Sequence, residues 1–97
     1  MAGKILIKIH EKGVVSVCDS DLLGKTLEEG DLHLEINEKF FKGEERTDVY
    51  IVGILECTGN ATIVGKHAIE LAVKNGIVEE KCVKKIGKVP FAYVFAV

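Results

Sequence analysis

The stretch from Gly59 to His67 is the part of the chain that comes closest to a phosphate-binding loop. In a Walker loop, four residues separate the two glycines, and a Ser or Thr after the Lys binds magnesium. Here five residues separate Gly59 from Gly65, and His67 follows Lys66. The spacing therefore does not support nucleotide hydrolysis. A loop entering a helix still exposes free amides, so Gly59, Thr62, Gly65, Lys66 and His67 form one candidate anion or ligand loop.

A second candidate is a basic segment near the end of the chain. It contains four lysines within eight residues, namely Lys81, Lys84, Lys85 and Lys88. Aromatic residues then follow at every second position, at Phe91, Tyr93 and Phe95. Lysines hold a phosphate backbone and aromatic rings stack on bases, which together favour RNA or phosphate binding. The plain alternative is a solvated lysine surface followed by a buried strand face.

Residue types that bind metals or act as nucleophiles occur without the spacing of a site. The three cysteines form no Cys-x-x-Cys pair, and the three histidines are equally scattered. The segment starting at Asp19 begins like a calcium loop, but Leu23 and Gly30 occupy positions five and twelve, where oxygen ligands are required. Asp19 and Asp21 disfavour the thiolate of Cys18. We therefore predict no catalytic residue, no metal site and no cofactor.

Composition bounds the class of protein. The 97 residues are 47% hydrophobic and 29% charged, as expected for one globular domain over 1–97. No apolar run approaches the roughly 20 residues of a membrane helix, and the start of the chain lacks a secretory signal, which predicts a cytoplasmic protein with no membrane partner. The absence of Gln and Trp and the reliance on Lys and Glu are typical of hyperthermophiles.

Charge is divided unevenly along the chain. Residues 1–56 carry twelve acidic and seven basic side chains, whereas residues 57–97 carry three acidic side chains and six lysines. Such a division orients a protein toward a charged partner if folding keeps the halves apart.

Hydrophobic periodicity predicts the elements that position these residues. Alternation predicts a hairpin of strands at 5–9 and 14–18 and a third strand at 31–36. Residues 47–57 fit a helix or a strand, and Thr47 as an N-cap favours the helix. Recurrence at three and four residues from Ile63 to Ala72 predicts a helix that ends at Asn75 and Gly76. A closing strand is predicted at 89–97.

These elements predict an α+β fold: a single compact domain in which an antiparallel sheet has one main helix packed on one face. The sheet is expected to contain the first hairpin, the third strand and the closing strand.

An ordered set of short segments also resembles a known family. The segments are KIHEKG, VCD, LLGKTL, GD, LEI, ATIVGK and IGKVP. Together they span nearly the whole chain and resemble the small archaeal domain-of-unknown-function family of about 100 residues. The resemblance implies a stand-alone archaeal α+β protein. It implies no activity, so no catalytic residue is transferred.

Three functions remain open from the sequence. The leading hypothesis is a non-enzymatic binding protein associated with RNA or the translation apparatus, whose partners are RNA or ribosome-associated proteins. The second is a small enzyme or small-molecule-binding protein with a pocket at the Gly59 to His67 loop. The third is a subunit of a larger protein assembly, which would require an exposed apolar patch or strand edge.

Overall fold

A computed structural model describes residues 4–95, which are divided between two β-sheets and several helices. The strands are β1 (Ile5–Ile9), β2 (Val14–Asp19), β3 (Thr26–Glu29), β4 (Leu32–Glu35), β5 (Glu44–Glu45), β6 (Asn60–Val64), β7 (Lys84–Ile86) and β8 (Val89–Phe95). The α-helices are α1 (Glu38–Phe41), α2 (Asp48–Cys57) and α3 (Lys66–Lys74). Short 3-10 turns occur at Glu11–Gly13, Ser20–Leu22 and Glu80–Cys82.

The larger sheet has six strands in the order β5-β1-β2-β6-β8-β7. The α+β class is confirmed, but the prediction of a wholly antiparallel sheet was wrong, because β2 and β6 pair in parallel. The chain leaves β2, passes through residues 20–59, and returns beside β2 in the same direction. The predicted third strand is β4, which pairs with β3 in a separate hairpin and does not join the large sheet.

One face of the large sheet carries the main core. Its apolar residues pack with α2 and α3, so two helices cover this face where the sequence had predicted one. The fully buried members include Val17, Ile51, Ile63 and Ala72. Burying a side chain the size of Ile contributes about 1.5–3 kcal/mol, so this face supplies much of the driving force for folding.

The prediction for residues 47–57 is confirmed as a helix. The Thr47 hydroxyl accepts a hydrogen bond from the Tyr50 amide at 3.2 Å and caps α2. The predicted start of the next helix was wrong, because Ile63 and Val64 belong to β6 and α3 begins at Lys66. These two β-branched residues suit a strand that is paired on both sides.

The predicted closing strand is confirmed through Phe95, and its last two positions lie outside the described residues. Within residues 4–95, no helix has the length and apolar character needed to span a bilayer.

The second face of the large sheet is only partly covered. A smaller core there joins Cys18, Ile36, Phe41 and Val64 to side chains of the β3–β4 hairpin. This hairpin lies against β7, while α1 lies over β1 and β2. The part of this face formed by Asn60 and Thr62 of β6 and by Tyr93 and Phe95 of β8 is left open, and we call it the open face.

Candidate functional site

The open face is built from paired residues of β6 and β8. Thr62 is opposite Tyr93 and Asn60 is opposite Phe95 in the antiparallel register. Directly opposed residues project from the same side of a sheet, so these four side chains share one surface. Tyr93 is 47% exposed and Phe95 is 70% exposed. Two large aromatic rings of β8 are therefore exposed to solvent.

Three rings run along β8, and we call Phe91, Tyr93 and Phe95 the aromatic stripe. The Phe91 and Tyr93 centroids are 5.8 Å apart in an edge-to-face arrangement. Those of Tyr93 and Phe95 are 6.0 Å apart with 29° between the planes. Phe91 packs against the smaller core, whereas the other two rings extend away from it. The buried alternative from the sequence thus holds for one end of the stripe and fails for the other.

A second ring pair lies on the same side of the sheet as the stripe, near β1 and β2. His10 stacks on Phe40 with the centroids 4.5 Å apart. The His10 Nε2 atom is 2.9 Å from Ser16 Oγ and 3.1 Å from the Phe40 carbonyl oxygen. A carbonyl only accepts, so Nε2 carries the hydrogen in this arrangement. The interaction fastens α1 to the sheet.

This His–Ser contact resembles the core of a hydrolytic dyad, but Ser16 is completely buried. A nucleophile must reach its substrate, so the arrangement does not present Ser16 as one. Sequence reasoning missed the contact. Strand alternation in the predicted hairpin, which puts every second residue on the same side, was the signal that could have found it.

The four predicted lysines of the basic segment do not share one surface. Lys84 is opposite Phe91 in the β7–β8 pairing, which puts it on the side of the aromatic stripe, whereas Lys85 is opposite Pro90 and projects from the other side. Lys81 forms an ion pair with Glu79 at 3.2 Å. Lys88 lies in the turn between the two strands. Strand alternation therefore divides the charges of the predicted segment between the two sides of the sheet.

Lys85 belongs to the side of the sheet that carries the helices. It lines a shallow depression together with Lys66, Lys74, Glu70 and Glu80. The two acidic residues offset two of the three lysines, so the depression carries only one net positive charge.

The prediction of a single loop from Gly59 to His67 was wrong. Residues 60–64 form β6, so Gly59 and Gly65 lie at opposite ends of a strand about 16 Å long. Thr62 lies in the middle of that strand and belongs to the open face. Lys66 and His67 start α3 at the far end. The five residues therefore cannot line one pocket.

The N-terminus of α3 already holds a carboxylate. Asp19 accepts hydrogen bonds from the His67 amide at 3.0 Å and the Ala68 amide at 2.9 Å, and only 4% of its surface is exposed. Gly65 has a φ of 115°, and a Cβ there would lie 2.5 Å from the Asp19 Cγ atom. Only glycine fits this close approach. An external phosphate at these amides would have to displace Asp19.

The cysteines differ sharply in their surroundings. Burial, with smaller contributions from the charges of Asp19 and Asp21, raises the pKa of the Cys18 thiol to about 12. The expectation that the Cys18 thiolate is disfavoured is borne out, and burial is the larger cause. Cys57 and Cys82 are free and exposed. No group of three metal-binding side chains occurs within residues 4–95.

Comparison with solved structures found a similar fold. The crystal structure of an uncharacterized conserved protein from Methanopyrus kandleri matches with a TM-score of 0.76 and 27% sequence identity. The match covers 97% of this chain and 94% of that protein. No curated protein matches. The family model described as "Protein of unknown function (DUF424)" matches residues 7–97, and this chain therefore belongs to that family.

Proposed function

We propose that this protein is a non-enzymatic binding protein that binds single-stranded RNA on the open face. The observation that carries the proposal is the exposure of Tyr93 and Phe95 as adjacent stacked rings. Rings in solvent on a sheet surface offer π-faces to bases, and stacking of this kind contributes about 1–3 kcal/mol per base.

Charge on the same side supports the proposal. Lys84 projects beside Phe91 and supplies a cation at the edge of the stripe. The rings would take the bases while the lysine contacts a phosphate. Partners among RNA or ribosome-associated proteins, and a cytoplasmic setting in the translation apparatus, belong to the same proposal.

The arrangement of β8 argues against a merely structural role for the stripe. Ala92, between Phe91 and Tyr93, is 2% exposed and belongs to the main core. The strand therefore buries a small side chain and exposes two large ones. Burial of large apolar side chains stabilises a fold. An order of the same residues that turned the rings toward the core would therefore bury more apolar surface.

Fluorescence anisotropy with labelled 12-nucleotide oligouridylate and oligoadenylate tests the proposal. We expect binding to both probes that weakens as salt rises from 50 to 200 mM. Replacing either Tyr93 or Phe95 by Ala should weaken binding about 5- to 150-fold, the equivalent of one stacking contact.

Lys84 and Lys85 form a matched pair for the same assay. They are sequence neighbours of equal charge on opposite sides of the sheet. We expect Lys84→Glu to weaken binding and Lys85→Glu to leave it nearly unchanged. Equal losses from the two variants would mean that net charge alone drives binding. Failure of wild-type protein to bind either oligonucleotide would overturn the proposal and point to a protein partner for the stripe.

A further inference from the structure

We infer that Thr62 and Asn60 select ribose over deoxyribose in the strand bound by the aromatic stripe. This inference rests on the proposed function and assigns the kind of nucleic acid. It concerns the two polar residues that adjoin the exposed rings.

On the open face, β6 lies beside the strand that carries the exposed rings. In the sheet order it stands between β2 and β8. Thr62 and Asn60 of β6 project from the same side of the sheet as Tyr93 and Phe95 of β8. Neighbouring strands are about 4.8 Å apart, so a nucleic-acid strand stacked on the rings would pass close to the side chains of β6.

The register gives each exposed ring its own polar neighbour. Thr62 is paired with Tyr93 and Asn60 with Phe95. The backbones of each pair are one strand spacing apart, about 4.8 Å. The pattern of one ring and one polar side chain is repeated twice along the strands. It therefore suits two consecutive nucleotides.

The two polar side chains are not engaged elsewhere within residues 4–95. The structure gives no hydrogen bond to the Thr62 hydroxyl or to the Asn60 side-chain amide, although the Asn60 backbone does bond to Thr58. Ser16, in the same row as Thr62, is by contrast held by His10. Thr62 and Asn60 thus keep their hydrogen-bonding capacity for a ligand.

Ring spacing indicates that the bases lie on top of the stripe. Inserting a base between two rings requires a gap of about 6.8 Å, twice the stacking distance of 3.4 Å. The Tyr93 and Phe95 centroids are only 6.0 Å apart, so no base fits between them. With the bases on the rings, sugars directed toward β6 would meet Thr62 and Asn60.

The hydrogen-bonding chemistry of Thr62 and Asn60 matches that of the 2′-hydroxyl. A hydroxyl and a carboxamide each donate and accept hydrogen bonds, and the 2′-hydroxyl of ribose does the same. Deoxyribose lacks this hydroxyl, so the hydrogen bonds to it are lost. Each hydrogen bond formed should favour RNA by about two- to twelvefold, since such a bond contributes about 0.5–1.5 kcal/mol.

The test compares 12-nucleotide oligouridylate with oligodeoxyuridylate, which differ only in the 2′-hydroxyl. Wild-type protein should bind the ribose form more tightly. Thr62→Val, which keeps the shape and strand preference of threonine, and Asn60→Ala should each lower this ratio, and the double variant should bring it close to 1. The fall in the ratio should come mainly from weaker binding of the ribose probe. Thr26→Val, an exposed threonine on β3, is the matched control and should leave the ratio unchanged.

The outcomes separate the two proposals. Wild-type protein could bind both probes equally and lose that binding when Tyr93 and Phe95 are replaced. This result would overturn ribose selection but would still support binding of single strands by the aromatic stripe. A preference for RNA that persists in the double variant would also overturn the role of Thr62 and Asn60. Binding of neither probe would overturn the proposed function and this inference with it.

Discussion

Two regions of the large sheet, the helix-covered face and the open face, use their apolar residues in opposite ways. The face under α2 and α3 buries small and branched side chains, whereas the open face leaves aromatic rings in solvent. The contrast is sharpest within β8, where Ala92 is buried and Tyr93 is nearly half exposed. The helix-covered face and the smaller core hold the buried apolar side chains, so the open face contributes little to stability.

The largest effect should come from the covered face. Replacing Ile63 by Ala removes a fully buried side chain from the middle of the sheet and should lower the free energy of unfolding by about 2–5 kcal/mol. Guanidinium denaturation followed by circular dichroism measures the change. A loss below about 1 kcal/mol would contradict the claim that the face under α2 and α3 supplies much of the stability.

The Asp19 cap should rank next. Asp19→Ala removes a buried carboxylate that accepts two backbone hydrogen bonds, and we expect a loss of about 2–4 kcal/mol. Asp21→Ala is the matched control, because Asp21 is exposed and two residues away, and it should change stability by less than about 0.5 kcal/mol. If the two variants were equally stable, the carboxylate would not be essential to the start of α3.

Cys18 makes a smaller, pH-dependent contribution. Its pKa is raised from 9.0 to about 12 in the folded protein, so the native state holds the proton more tightly than the unfolded chain. This contribution is complete below pH 9 and is lost as the pH rises toward 12. At pH 10 the loss should be about 1.4 kcal/mol.

Comparing wild-type protein with Cys18→Ala between pH 8 and 10 isolates this term, because other groups that titrate are common to both. Wild-type stability should fall more steeply. Thiol labelling at pH 8 gives an independent check: Cys57 and Cys82 should react quickly, and Cys18 only after unfolding. Parallel pH profiles would contradict the burial argument.

Local patterns in the sequence predicted most elements but not their assembly. The alternation of β1 and β2 has one side chain in and one out, so it was readable. Residues 61–64 are central in the sheet, and three of the four are buried; this short apolar run fits a helix period as well as a strand. The parallel pairing of β6 with β2 joins residues 46 positions apart, which periodicity does not report.

The candidate site shows the same limit. The sequence identified the aromatic stripe and the lysines, because they are adjacent along the chain. Asp19 lies 48 residues from His67, so the contact that occupies the predicted anion loop has no local signature. Thr62 was placed in the wrong element, and its pairing with Tyr93 emerges only from the sheet register.

The smallest effect on stability should come from the rings that carry the proposed function. The Tyr93→Ala and Phe95→Ala double variant should change the free energy of unfolding by only about 1 kcal/mol or less, because Phe95 is mostly exposed and Tyr93 nearly half exposed. The same variant should abolish measurable oligouridylate binding. Denaturation and anisotropy on one preparation test both halves of this expectation. A large loss of stability would instead make the stripe part of the core, and the two faces of the sheet would then be alike.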